Sequence, residues 1–174
     1  MPRGGLFGRR RTRVEFEVTP ATFRTLGLAG ISGLRSMSAP ALLARAVRRG
    51  DVDAPDLPSL GSARVSNLLA LLAVGEMIAD KTPFIPARTS APALLIRALS
   101  GALVGAELFS SAGRHRNSGA VLWALSALAA AYAGEKIRTE GTRKGIPDPL
   151  LAALEDRLVL SLGTRILRRR RAYR

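Results

Sequence analysis

The chain has 174 residues, enough for one compact domain, and carries 27 Lys and Arg against 13 Asp and Glu, a formal net charge of +14. It is 47% hydrophobic and 5% aromatic, which is compatible with so much charge only if charged and apolar residues are segregated along the chain. There is no cysteine and one histidine, which excludes disulfides, thiolate nucleophiles and Cys-ligated metals; His115, in the basic run GRHRNSG, reads as a solvated turn residue.

Residues 1–24 read as a basic tail containing RGGLFGRRRTR (Arg3 to Arg13). Arginines ahead of an apolar run resemble an export leader, but Glu15, Glu17 and Arg24 interrupt the place where an unbroken apolar region should begin. The tail is therefore expected to be cytoplasmic. Five apolar segments follow. The first, Thr25 to Ala44, contains Arg35, and the second, Val65 to Ala79, contains Glu76. The third, Ala91 to Ser111, contains Arg97 and Glu107, and the fourth, Ser118 to Gly134, has 17 residues and no charge. The fifth, Pro149 to Leu167, carries Glu155, Asp156, Arg157 and Arg165, and a second basic tail, 164–174, overlaps its end. None alternates like a strand, and Leu and Ala prevail over Val, Ile and Thr, so helices are expected throughout. The linkers between them are rich in Gly, Pro, Asp and Arg.

Basic tails suit an anionic membrane surface or nucleic acid equally well; the apolar blocks decide. A spanning helix needs about 20 mainly apolar residues, with about 17 as the lower limit. A helix on the surface of a soluble domain should show a polar face, and the fourth segment has none: Ala120, Leu122, Trp123, Leu125, Leu128, Ala130 and Tyr132 surround it. The expected fold is all-α: a helical membrane bundle of about four transmembrane helices over residues 25–163. Residues 149–167, with the stripe Leu151, Leu154, Leu158 and Leu162, read as an amphipathic helix on the inner surface. The N-terminal tail and the loops 80–89 and 135–148 hold more Lys and Arg than the remaining loops, which places the N-terminus inside a multi-pass chain of the cell (inner) membrane. The expected partners are the lipid bilayer, anionic lipid headgroups at the basic tails, and a second copy of the chain if small residues pack between molecules; nucleic acid is not expected.

One phrase occurs twice. SAPALLARA (Ser38 to Ala46) returns as SAPALLIRA (Ser90 to Ala98), and two later segments close on Gly-Glu-x-Ile, at Gly75 and Gly134. The order reads as an internal duplication of a helical hairpin. Ser38 and Ser90 are expected to cap helices opened by Pro40 and Pro92, which breaks the first segment just after Arg35.

Charges at membrane depth are costly and normally face the bundle interior. Arg35, Glu76, Asp80, Arg97 and Glu107 form the candidate buried polar site, read either as ion pairs that hold the helices or as a polar pathway or headgroup pocket. Gly27, Gly30 and Gly33 in the first segment, and Gly101 and Gly105 in the third, are expected to let backbones approach closely, within one chain or between two.

The runs GLRSMSAPALL, GEMIADKTPFIPARTSAPALLIRALSGALVGAELF and PLLAALEDRLVLSLG resemble the bacterial membrane-protein family called domain of unknown function 4126, over about Thr25 to Gly163. The resemblance rests on G-x-R-S-M-x-A-P, E-x-x-A-D-K-x-P-x-x-P-x-R and the pair Glu155–Asp156. It implies a small integral membrane protein and supplies no catalytic, cofactor-binding or metal-binding residue. The sequence has no Gly-rich phosphate loop, metal cluster or nucleophile beside a histidine, so a non-enzyme is expected, with no cofactor. The functional expectation is a transport or binding protein with charges at a repeat interface, with a scaffolding membrane protein as the alternative. A soluble nucleic-acid-binding protein is the third reading.

Overall fold

The structure is a computed structural model that describes residues 30–80 and 89–167. The N-terminal tail, residues 168–174 of the C-terminal tail, Gly27, Lys81 and Arg88 lie outside the described residues. Among the described residues there are six helices: α1 (30–34), α2 (Ser38–Arg48), α3 (Ala63–Ala79), α4 (Ala91–Ser111), α5 (Arg116–Arg143) and α6 (Asp148–Leu167), with a 3-10 turn at Pro58–Gly61. There is no strand among the described residues, as the absence of alternation requires.

Glycine stops three of these helices. Gly50, Gly113 and Gly145 have φ of 71°, 68° and 85°, in the left-handed region that only glycine enters without cost. Each reverses the chain, so α2 folds back through the 3-10 turn onto α3, α4 onto α5, and α5 onto α6.

The α4–α5 hairpin has the most extensive helix–helix packing. Its closeness comes from small residues. A Cβ on Gly101 would stand 2.8 Å from the Trp123 carbonyl oxygen, and one on Gly105 would meet the Gly119 carbonyl and the Trp123 side chain. Both glycines of the third segment therefore stand where α4 closes on α5 within this chain. Gly33 does the same against the backbone of α5 at Ala127 and Ala131, whereas a Cβ on Gly30 would meet nothing within 4 Å. Gly30 thus makes no close helix contact among the described residues. Gly119, Gly134 and Gly163 are further close-approach positions.

Around Trp123, Leu43, Val104, Ile31 and Val159 the interior is closed. The outside is not polar. Leu68, Leu71, Leu72, Val74 and Ile78 of α3 are exposed, as are Leu95 and Leu99 of α4, Val121 and Leu125 of α5, and Leu154, Leu158 and Leu162 of α6. Helices α4 and α5 are long and apolar enough to cross a membrane; by the same measure α3, with 17 residues, and the shorter α2 are not. Two helices of spanning length, not four, are therefore present among the described residues.

Helix α6 is the one read from the sequence as amphipathic. It packs along α2 and α5, with Gly163 against Leu42 and Ile31. Its apolar stripe faces outward, but Glu155 and Asp156 turn into the protein, because arginines stand there to receive them.

Candidate functional site

The site is built on the break between α1 and α2. Helix α1 ends at residue 34, the Arg35 N–H still bonds the Ile31 carbonyl at 2.8 Å, and residues 35–37 leave helical structure before α2 begins. Pro40 sits in the first turn of α2, where its missing N–H costs nothing. A break exposes orphan N–H groups, and inside a bundle each must find a partner.

Glu76 of α3 supplies it. One carboxylate oxygen accepts from the Ser36 N–H at 2.7 Å and the Ser36 hydroxyl at 2.6 Å, and the other accepts from the Met37 N–H at 2.8 Å. Capping of α2 thus comes from a distant helix and not from Ser38, which is 2% exposed and whose hydroxyl has no hydrogen-bond partner. Ser90 occupies the N-cap position of α4, as expected, but makes no side-chain cap bond.

Arg35 is fully buried. Its guanidinium pairs with Asp80 through Nη1 and with Asp156 through Nη2 at 2.6 Å. The planar fork suits this bridge, since its two arms hold carboxylates from α6 and from the end of α3 at once. Asp80 lies one turn beyond Glu76, as the i, i+4 spacing requires, so one edge of α3 serves both the cap and the ion pair.

Arg97 closes the other side. It is 4% exposed, donates from Nε to the Gly33 carbonyl at 3.0 Å, and lies 3.5 Å from the Ala93 carbonyl through Nη1. One turn on, the Ser100 hydroxyl donates to the Ser36 carbonyl. Helix α4 therefore satisfies carbonyls that the end of α1 leaves open, while α3 satisfies the N–H groups at the start of α2. Ser100 is the tenth residue of α4, about 14 Å along a helix about 32 Å long.

A second cluster adjoins. Arg138 of α5 donates from Nε to Asp148 at 2.8 Å and stands 3.9 Å from Glu155. Four of the five expected residues (Arg35, Glu76, Asp80 and Arg97) thus meet at one break. Glu107 does not join them: it is fully buried further along α4, where the backbone of Leu57 and Asp56 approaches its carboxyl group. Asp156 and Glu155, singled out above only as part of a motif, are the additions. The signal for them was an acidic pair inside an apolar segment.

The two copies of the repeated phrase part company. Both open a helix, but Arg45 is exposed while Arg97 is buried. Among the described residues no three His, Asp or Glu side chains gather to hold a metal ion.

The three runs behind the resemblance converge on this network: Arg35, Ser36 and Met37 from the first, Glu76 and Asp80 from the second, Glu155 and Asp156 from the third. A family model described as domain of unknown function (DUF4126) matches residues 23–166. No curated protein and no solved structure matches the chain.

Proposed function

The chain belongs to the domain of unknown function 4126 family, and since that description assigns no activity, we propose one from the geometry: an integral membrane protein in which the α1–α2 break forms a polar binding site for a small polar or charged substrate. The observation that carries this is the interruption of a helix at Arg35, with backbone and carboxylates drawn together beside Ser100, near the middle of a helix of spanning length. Broken helices at membrane depth are tolerated where they are buried in protein or line a water-filled cavity, and membrane transporters place their sites there. The apolar exteriors of α3, α4 and α5 would face lipid, with the α4–α5 turn outside and the N-terminus inside.

A second reading has its own support. Arg35 is held by two carboxylates and Glu76 by three donors, so the same network would serve a scaffold that only fastens helices together. Labelling separates the two. The chain has no cysteine, so Ser36→Cys introduces the sole thiol. In membranes, a small water-soluble thiol reagent should modify Ser36→Cys and leave the outward-facing Leu99→Cys untouched. If neither thiol reacts until the protein is denatured, the break is sealed and the scaffold reading stands.

A further inference from the structure

The first copy of the repeated phrase leads to a different place from the second. Arg45 and Arg48 lie on α2 and Arg49 just past its end, and the three line a pocket of about 440 Å³ between α2 and α3. From α3 come Ser66, only 6% exposed, and Asn67, whose side-chain oxygen lies 3.4 Å from Arg48 Nη1. Ala41 and Ala70 complete the lining, and their small side chains leave the space open.

No carboxylate lines this pocket. None of the three arginines pairs with an acid among the described residues, whereas Arg35, Arg116, Arg138 and Arg143 all do. Three unneutralised guanidiniums converging on one cavity repel one another, and an anion relieves that repulsion. A phosphate diester fits the chemistry: guanidinium forks match its oxygens, and hydroxyl and amide groups donate to the remainder.

The position indicates which phosphate. The pocket lies at the end of α2 and the start of α3, the same end of the molecule as the α4–α5 turn, since Asp56 in the loop between α2 and α3 pairs with Arg116 at 3.6 Å. In the membrane reading above, on which this inference rests, that end is an interface. Beside the pocket, the exposed Leu68, Leu71 and Leu72 of α3 offer an apolar wall. We propose that the pocket between α2 and α3 binds the phosphate of an anionic phospholipid whose acyl chains lie along α3.

The test uses the purified full chain in detergent with water-soluble short-chain lipids, so that binding is read independently of insertion into a bilayer. Dihexanoyl phosphatidylglycerol should bind saturably, and the choline analogue, which carries the same phosphate with its charge balanced, should bind much more weakly. Replacing Arg45, Arg48 and Arg49 together by glutamine should weaken binding on the order of a hundredfold, about a factor of five for each arginine. Replacing Arg143, Lys144 and Arg157 by glutamine removes as much charge elsewhere and should leave binding within a factor of two to three. Equal loss in both triple variants would make the effect bulk charge and overturn the site. Inorganic phosphate binding as tightly as the glycerol lipid would overturn the lipid assignment in favour of a free anion.

Discussion

Glu76 carries the most specific consequence. Its carboxylate accepts three hydrogen bonds from Ser36 and Met37 across the break. Glu76→Gln keeps the shape but offers one acceptor oxygen, and its amide then points N–H groups at a backbone N–H. Leaving the Met37 donor unmet costs about 1–3 kcal/mol, and the two remaining bonds lose charge assistance at about 1 kcal/mol each. Because Glu76 is half-buried, the lower part of the summed range applies, about 3–4 kcal/mol in total. For a chain of this size that lowers the melting temperature by roughly 5–15 °C. The assay is internal. Trp123 is the sole tryptophan and is fully buried between α4 and α5, so its fluorescence follows thermal unfolding in detergent. Glu140→Gln, which removes only an exposed pair with Arg143, should shift melting by a degree or two at most, since such pairs contribute about 0.5 kcal/mol. If Glu76→Gln melts together with Glu140→Gln, the carboxylate does not hold the break and the reasoning fails.

Three further outcomes follow from the same geometry. Arg35→Gln should cut the amount of folded protein sharply, by about 3–5 kcal/mol of stability, because it takes the fully buried cation away from the partly buried Asp80 and Asp156 carboxylates. Adding Asp156→Asn should recover part of that loss, a coupling that unfolding of the single and double variants measures. Gly105→Val forces a side chain into the Gly119 carbonyl and Trp123, and should cost about 1–3 kcal/mol or more and red-shift the Trp123 emission. Gly75→Ala, in open space within α3, should instead gain up to about 1 kcal/mol. For orientation, a thiol at Arg114→Cys should react with a membrane-impermeant maleimide in intact cells. One at Lys144→Cys should react only after permeabilisation, and the reverse pattern would invert the assignment.

Much of the architecture was legible because lipid-compatible helices leave strong marks. A charge-free run of 17 residues marked the apolar stretch of α5, and a G-x-x-x-G at Gly101 and Gly105 marked a face of α4 open to close approach, without saying whether its partner lay in the same chain. The break after Arg35 was readable from Pro40 alone, since proline forbids an uninterrupted helix there. Its capping was not: Ser38 has the right chemistry and the right spacing, but Glu76, remote in sequence, delivers two charged acceptor oxygens where a hydroxyl offers one neutral acceptor. The same non-locality hid Asp156. Its partner Arg35 lies far away in the chain, and only the packing of α6 along α2 brings them within 2.6 Å. Glu107 shows the converse limit. Sharing α4 with Arg97 put both in one list, yet they stand about 15 Å apart along that helix and meet different neighbours. The glycine run of the first segment shows a related limit: it marks a face that could pack closely, and of its two described members Gly33 has a backbone opposite it while Gly30 does not.

The central claim is that α4 and α5 cross a bilayer, with the remaining helices gathered round a break inside it. Alkaline carbonate extraction of membranes from cells expressing the full chain tests this most directly. The protein should stay in the pellet after the wash and enter solution only with detergent. Release into the carbonate supernatant would contradict it, and would leave the basic tails as surface attachments of a protein that does not enter the bilayer.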